Sequence, residues 1–149
     1  MKWILIVIGS LAAIVALIAM VGALQPVKHV ATRRARFRNP PERVWDAMSP
    51  GTSQAHFKQD DVNYEVVSMT PRTQLITRIA DRNLPYGGSW TYDLAPDGDG
   101  SMLRITENGE VYNFVFRFVS RFVMGHTATI EASLKELGKK LNEDVKIED

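Results

Sequence analysis

Three histidines, His29, His56 and His126, are the side chains best suited to acid–base or metal chemistry near neutral pH. They lie far apart in the chain and share no metal-ligand spacing, so no metal site is expected. His126 stands out because it falls on the apolar stripe of a helical pattern. Its ordinary reading is a neutral imidazole with a nitrogen on a backbone carbonyl or water. Its functional reading is a polar contact to a ligand. A lone histidine makes no catalytic constellation, and no residue is assigned a catalytic role. Glu107 and Glu110 invite comparison with an acid–base carboxylate pair, but an odd spacing in a strand points them to opposite faces. Glu107 shares its face with Leu103 and Ile105. It is either a solvated strand end or a buried carboxylate paired with Arg78 or Tyr92. Asp97-Gly98-Asp99-Gly100 is too short for a calcium loop and reads as a turn, and Gly87-Gly88 lacks the phosphate-loop pattern. The chain has no cysteine, which excludes disulfides, thiolate zinc sites and cysteine nucleophiles. No cofactor is expected.

The elements that must position these residues begin with an uncharged run. From Trp3 to Leu24 the chain is Leu-, Ile-, Val- and Ala-rich, and as a helix it reaches roughly 33 Å, a bilayer's hydrocarbon thickness. A signal peptide cut after Ala23 is the alternative, but its apolar core would be shorter. The length favours a retained single-pass anchor over residues 1–25, with one domain over residues 26–149. Lys28, Arg33, Arg34, Arg36, Arg38 and Arg43 follow, offset only by Glu42. They read as solvated strand faces or as a juxtamembrane cluster attracted to anionic lipid. The same charges favour a domain facing the cytoplasm. Overall, 18 Lys and Arg balance 17 Asp and Glu, so a nucleic-acid partner is not expected.

Residues 29–37 alternate as a strand with Ala31, Ala35 and Phe37 on one face. Asn39-Pro40-Pro41 ends it and opens a short helix, residues 42–48, since Pro suits a first helical turn. Residues 49–62 read only as loop. Four strands are expected at 63–68, 74–80, 89–94 and 102–111, joined by short Gly- and Pro-rich links that suit antiparallel hairpins. Residues 113–142 carry Val119, Phe122, His126, Ile130, Leu134, Leu137 and Leu141 on one stripe, which predicts a long amphipathic helix. Its first half is apolar over a wider arc, and a bend is plausible at Gly125. Phe114 and Phe118 lie beyond the stripe beside Arg121. They either touch a membrane, rim a ligand entrance, or lie under the loop at 84–88. The element order is an α+β pattern.

Several segments carry a resemblance. Asn39-Pro40-Pro41-Glu42-Arg43-Val44-Trp45 after a first strand resembles the opening of START-like (SRPBCC, polyketide cyclase/dehydrase and lipid-transport) domains. Tyr64-Glu65-Val66-Val67, Leu84-Pro85-Tyr86-Gly87-Gly88-Ser89-Trp90-Thr91-Tyr92 and Thr106-Glu107-Asn108-Gly109-Glu110-Val111-Tyr112 look like a membrane-anchored bacterial branch. Phe116-Arg117-Phe118-Val119-Ser120-Arg121-Phe122 and Gly125-His126-Thr127-Ala128-Thr129 continue it. The resemblance implies a helix-grip fold, an antiparallel sheet curled around the C-terminal helix with an apolar cavity between them. Family members carry two more strands before the segment matching Tyr64-Glu65-Val66-Val67, so a sheet lacking two strands, with an extra edge, is expected. The implied function is binding of an apolar or lipid-like ligand by a membrane-tethered domain. Trp90, Tyr92, Ile105 and Glu107 on the sheet, with Phe118, Phe122 and His126 on the helix, are the candidate ligand contacts. Membrane lipid is the other expected partner. A non-catalytic interaction protein without a cavity and a cyclase- or dehydratase-type enzyme are the alternatives.

Overall fold

Apolar alternation and turn chemistry account for the sheet. The computed structural model describes residues 2–49, 56–59 and 61–149, with 56–59 by backbone alone. Strands β1 (Lys28–Phe37), β2 (His56–Gln59), β3 (Val62–Thr70), β4 (Gln74–Ile79), β5 (Tyr86–Asp97), β6 (Gly100–Val111) and β7 (Lys146–Glu148) form one antiparallel sheet in the order β2-β3-β4-β5-β6-β1-β7. The β5–β6 hairpin closes on Gly98-Asp99, with Gly98 at φ 61°, the left-handed conformation that tight hairpin turns require. Every second residue of β6 from Ser101 to Val111 is buried, so one face of the sheet is the core face. The other face is laced with ion pairs such as Arg36–Asp97 and Arg78–Glu65.

Two helices cover the core face. Helix α2 (Pro41–Met48) starts on its proline and buries Val44 and Trp45. Helix α4 (Ala128–Lys140; α1 and α3 are placed below) buries Ile130, Leu134 and Leu137 against Phe37, Leu94, Leu103 and Ile105. Each such side chain contributes about 1.5–3 kcal/mol on burial. The loop after α4 is tied back by buried Glu143, whose carboxylate accepts from the Arg38 backbone N–H and from Asn39 Nδ2, both at 2.8 Å.

The expected long helix is not continuous. It divides into α3 (Phe114–Val119), a π-helical turn (Ser120–Met124), Gly125 at φ 77°, and then α4. Asn113 starts α3, its Oδ1 accepting from the backbone N–H groups of Val115 and Phe116. The reason for the division lies in helix α1 (Lys2–Ala23). Its last turn packs against α3 so closely that a Cβ added at Gly22 would overlap the Phe114 carbonyl. The Arg117 guanidinium donates to the carbonyls of Gln25 at 3.0 Å and Ala23 at 3.5 Å, just where α1 leaves its last acceptors free. Thus α3 follows α1, α4 follows the sheet, and the π-turn with Gly125 absorbs the change of direction. The remaining apolar side chains of α1 are exposed along most of its length, and it is long and apolar enough to span a membrane.

Two edges also differ from expectation. The stretch read as loop at 49–62 contributes β2, which pairs with β3 from His56↔Glu65 to Gln59↔Val62. Short β7 covers part of the opposite edge, pairing Arg34↔Glu148 to Arg36↔Lys146. Both strands are too short to show an alternation pattern.

Because α4 and the π-turn bury such different amounts of surface, Leu134→Ala should cost about 2–5 kcal/mol. Phe122→Ala should stay within about 0.5 kcal/mol of wild type. Urea unfolding in detergent micelles, followed by tryptophan fluorescence, measures both. Equal effects would show that the π-turn grips the core as α4 does.

Candidate functional site

The residues singled out in the sequence separate into three groups. Tyr92 and Ile105, directly paired across β5 and β6, line a cavity of about 80 Å³ between the sheet, α2 and α4. Leu75, Leu103 and Leu137 supply its apolar walls, with Thr77 beside the phenol. Burial, with Tyr64 nearby, pushes the Tyr92 phenol up to about 12, against a hydrogen bond to Thr77 that lowers it. Tyr92 is therefore a neutral hydrogen-bonding group in a cavity that Ser133, Glu136 and Lys140 of α4 also line.

Two positions further along the same strands, Trp90 faces Glu107. Glu107 is 8% exposed and is not a solvated strand end. Its expected partners do not reach it, because Arg78 lies on the opposite face and pairs with Glu65. Instead the Trp90 indole N–H donates to Glu107 Oε2 at 3.1 Å, and His29 Nε2 lies 3.4 Å from Oε1. His29 stacks on His126 with ring centroids 4.0 Å apart, and His126 Nδ1 is 3.2 Å from Ser120 Oγ. Trp90, Glu107, His29, His126 and Ser120 thus form a continuous polar path from the core to the π-turn. Burial raises the Glu107 carboxyl, opposed by the Trp90 bond. Burial lowers His29. Burial, then the neighbouring His29 and Arg121, lowers His126. Burial thus acts in the same sense on all three groups, disfavouring the charged form of the carboxyl and of both imidazoles.

Phe118 and Phe122 form the third group. Their rings touch at 5.0 Å, but they do not close the cavity. Phe118 is half-buried next to Gly22 of α1, and Phe122 is 56% exposed on the π-turn. Their predicted place over the sheet depends on an unbroken helix, which α1 prevents. Phe114 is likewise exposed, and its backbone contact is with Gly22.

The sequence held a signal for His29 that spacing along the chain does not show. It shares the inward parity of Ala31, Ala35 and Phe37 on β1. Opposite it in the ladder is Gly109. A Cβ there would overlap the His29 ring and crowd Glu107, so this mid-strand glycine marks a close approach. A further cavity of about 260 Å³, bordered by His29 and His126, lies where α1 meets the domain. Among the described residues, no cluster of three potential metal ligands is present.

The stacked histidines give stability a defined sense with pH. Unfolded imidazoles protonate near 6.5, whereas both folded ones take up a proton only at lower pH. Their contribution is therefore complete above the unfolded value and is lost as pH falls below it. Glu107, raised by burial, acts oppositely and gains as pH falls. The urea midpoint should decline from pH 6.5 towards about 5, and less steeply in His126→Gln. Parallel profiles would show that the stack does not resist protonation.

No protein-family model matches the chain, and no curated protein matches it in sequence. Solved structures do. CalU16 from Micromonospora echinospora superposes with a TM-score of 0.61 at 17% identity, covering 78% of this chain and 76% of that one. Protein MLL2253 from Mesorhizobium loti gives 0.57 at 17% identity, covering 76% and 97%. Truncated norcoclaurine synthase from Thalictrum flavum gives 0.57 at 11% identity, covering 81% and 98%. The sheet wrapped on a C-terminal helix, together with these neighbours, makes the domain a helix-grip fold.

Proposed function

We propose that this chain is a membrane-anchored helix-grip domain, facing the cytoplasm, that takes the apolar part of a lipid-like molecule between its sheet and α4. The observation that carries the reading is the cavity around Tyr92, walled on the sheet side by Leu75, Leu103 and Ile105 and lined as well by the polar Thr77, Tyr92, Ser133, Glu136 and Lys140, which can orient the polar end of a guest. At about 80 Å³ it lies below the roughly 300–1,000 Å³ of pockets for drug-sized ligands. It accommodates a chain segment as it stands, and a larger guest must displace α2 or α4. The fold shared with a norcoclaurine synthase is in keeping with a small organic guest.

Retention of α1 as an anchor is supported by its packing. Removal after Ala23 would strip the surface that holds α3 and the acceptor of an Arg117 hydrogen bond. Phe114, Phe116, Phe122, Val123 and Met124 are exposed beside the end of α1. An apolar arc next to Arg121, set at the end of a membrane span, suits the interfacial layer of a bilayer. Membrane lipid is the partner this surface fits.

Mass spectrometry of small molecules extracted from the detergent-purified full chain tests ligand binding. Wild type should retain an apolar molecule. Ser133→Phe, which turns a ring into the cavity from α4, should lower its recovery about tenfold or more by overpacking the site. Failure to recover any apolar molecule from wild type would remove the binding reading. Orientation is tested with a cysteine at exposed Asp99, unique because the chain has none. It should resist a membrane-impermeant reagent in intact cells and react after lysis. Labelling of intact cells would reverse the topology.

A further inference from the structure

The basic residues next in sequence to the anchor are largely neutralised in the folded domain. Lys28 meets Glu110, Arg33 meets Glu131 and Asp149, Arg34 meets Glu148, Arg36 meets Asp97, and Arg38 meets Glu143. Two further cations, Arg117 and Arg121, stand with Lys28 at the end of α1. The cavity of about 260 Å³ there is bordered by Lys28, His29, Arg117, Ser120, Arg121 and His126. Among the described residues, no carboxylate lies within ion-pair distance of Arg117 or Arg121. Arg117 spends its Nη donors on the carbonyls of Ala23, Gln25 and Tyr112, while its Nε is buried without a hydrogen-bond partner. A buried guanidinium donor left unmade is costly, so this group asks for an acceptor. Two carboxylates approach residues of the lining: Glu110 lies 3.5 Å from Lys28 Nζ, and Glu107, whose carboxyl burial raises, lies 3.4 Å from His29 Nε2.

From this arrangement we propose that the cavity binds a phosphate-type anion, supplied by the headgroup of an anionic membrane lipid. Guanidinium groups match phosphate in shape and charge, and they give up water more readily than an ammonium group. The size suits a headgroup and not a whole acylated lipid. Its level suits one as well, since the apolar helix ends at its edge and the exposed Phe114, Phe116 and Phe122 stand beside it. The lipid source rests on the anchored reading above; the anion site does not.

The test uses the full chain in detergent micelles, observing the imidazole resonances of His29 and His126. Dihexanoyl phosphatidylglycerol, dihexanoyl phosphatidylcholine and inorganic phosphate are titrated separately. Phosphatidylglycerol should shift both histidines saturably, and at lower concentration than either of the others. Arg121→Gln should weaken that binding about fivefold, and adding Lys28→Gln about twenty-five-fold, at an unchanged urea midpoint. Saturation by inorganic phosphate at the same or lower concentration supports the anion site and overturns the lipid source. Shifts that saturate with neither anion, or that Arg121→Gln leaves unchanged, overturn the site itself. Alkaline carbonate extraction of cell membranes reads the anchor separately: release of the chain would end the anchored reading and leave the micelle titration to decide the cavity.

Discussion

At Gly22 the membrane-length helix comes so near to α3 that not even a methyl group would fit between them. This close approach, reinforced by Arg117 on the free carbonyls at the end of α1, governs the half of the domain next to α1. A helix held against α1 cannot also lie along the concave face of the sheet. The C-terminal pattern is therefore shared between two partners, and the π-turn and Gly125 take up the difference in direction. Only α4 grips the sheet. The end of the sheet that an unbroken helix would have covered is filled from within by Trp90, Glu107 and the two stacked imidazoles.

Filling a core with polar groups is tolerable only when they satisfy one another. Glu107 uses both oxygens, one towards an indole donor and one towards His29. Gly109 keeps the space in which the His29 ring can lie. The result joins the packed interior to the cavity at the end of α1 through a run of neighbouring titratable groups. Proton position and the charge of that cavity are thereby linked through His29, which belongs to both.

The two cavities differ in chemistry as well as place. The one at Tyr92 is small, lined by apolar residues of β4, β6 and α2 and by the polar Thr77, Tyr92, Ser133, Glu136 and Lys140. The one at the end of α1 is larger and bordered by cations from β1, α3 and the π-turn.

Much of the fold was legible in the residues. Alternation marked β1, β3, β4, β5 and β6, the paired prolines opened α2, and the Ile130, Leu134, Leu137 stripe identified the face of α4 that is buried. These signals are local, and each records the one face an element turns to its core. Length and apolarity alone likewise identified α1. The break at Gly125 was marked as a change of composition, but not as the point where a helix leaves the sheet, because nothing local states which partner a wide apolar arc will choose. The site followed the same division. Inward parity placed Trp90, Tyr92, Ile105 and Glu107 correctly on one face, whereas the contacts of His29 with Glu107 and with His126 join positions far apart in the chain. The fate of the basic cluster was also hidden, since its neutralising carboxylates come from β5, β6, α4 and the C-terminal segment. Periodicity reports how one segment meets its surroundings; which distant charges and rings become those surroundings is decided only when the sheet closes its ladder and α1 takes α3 for itself.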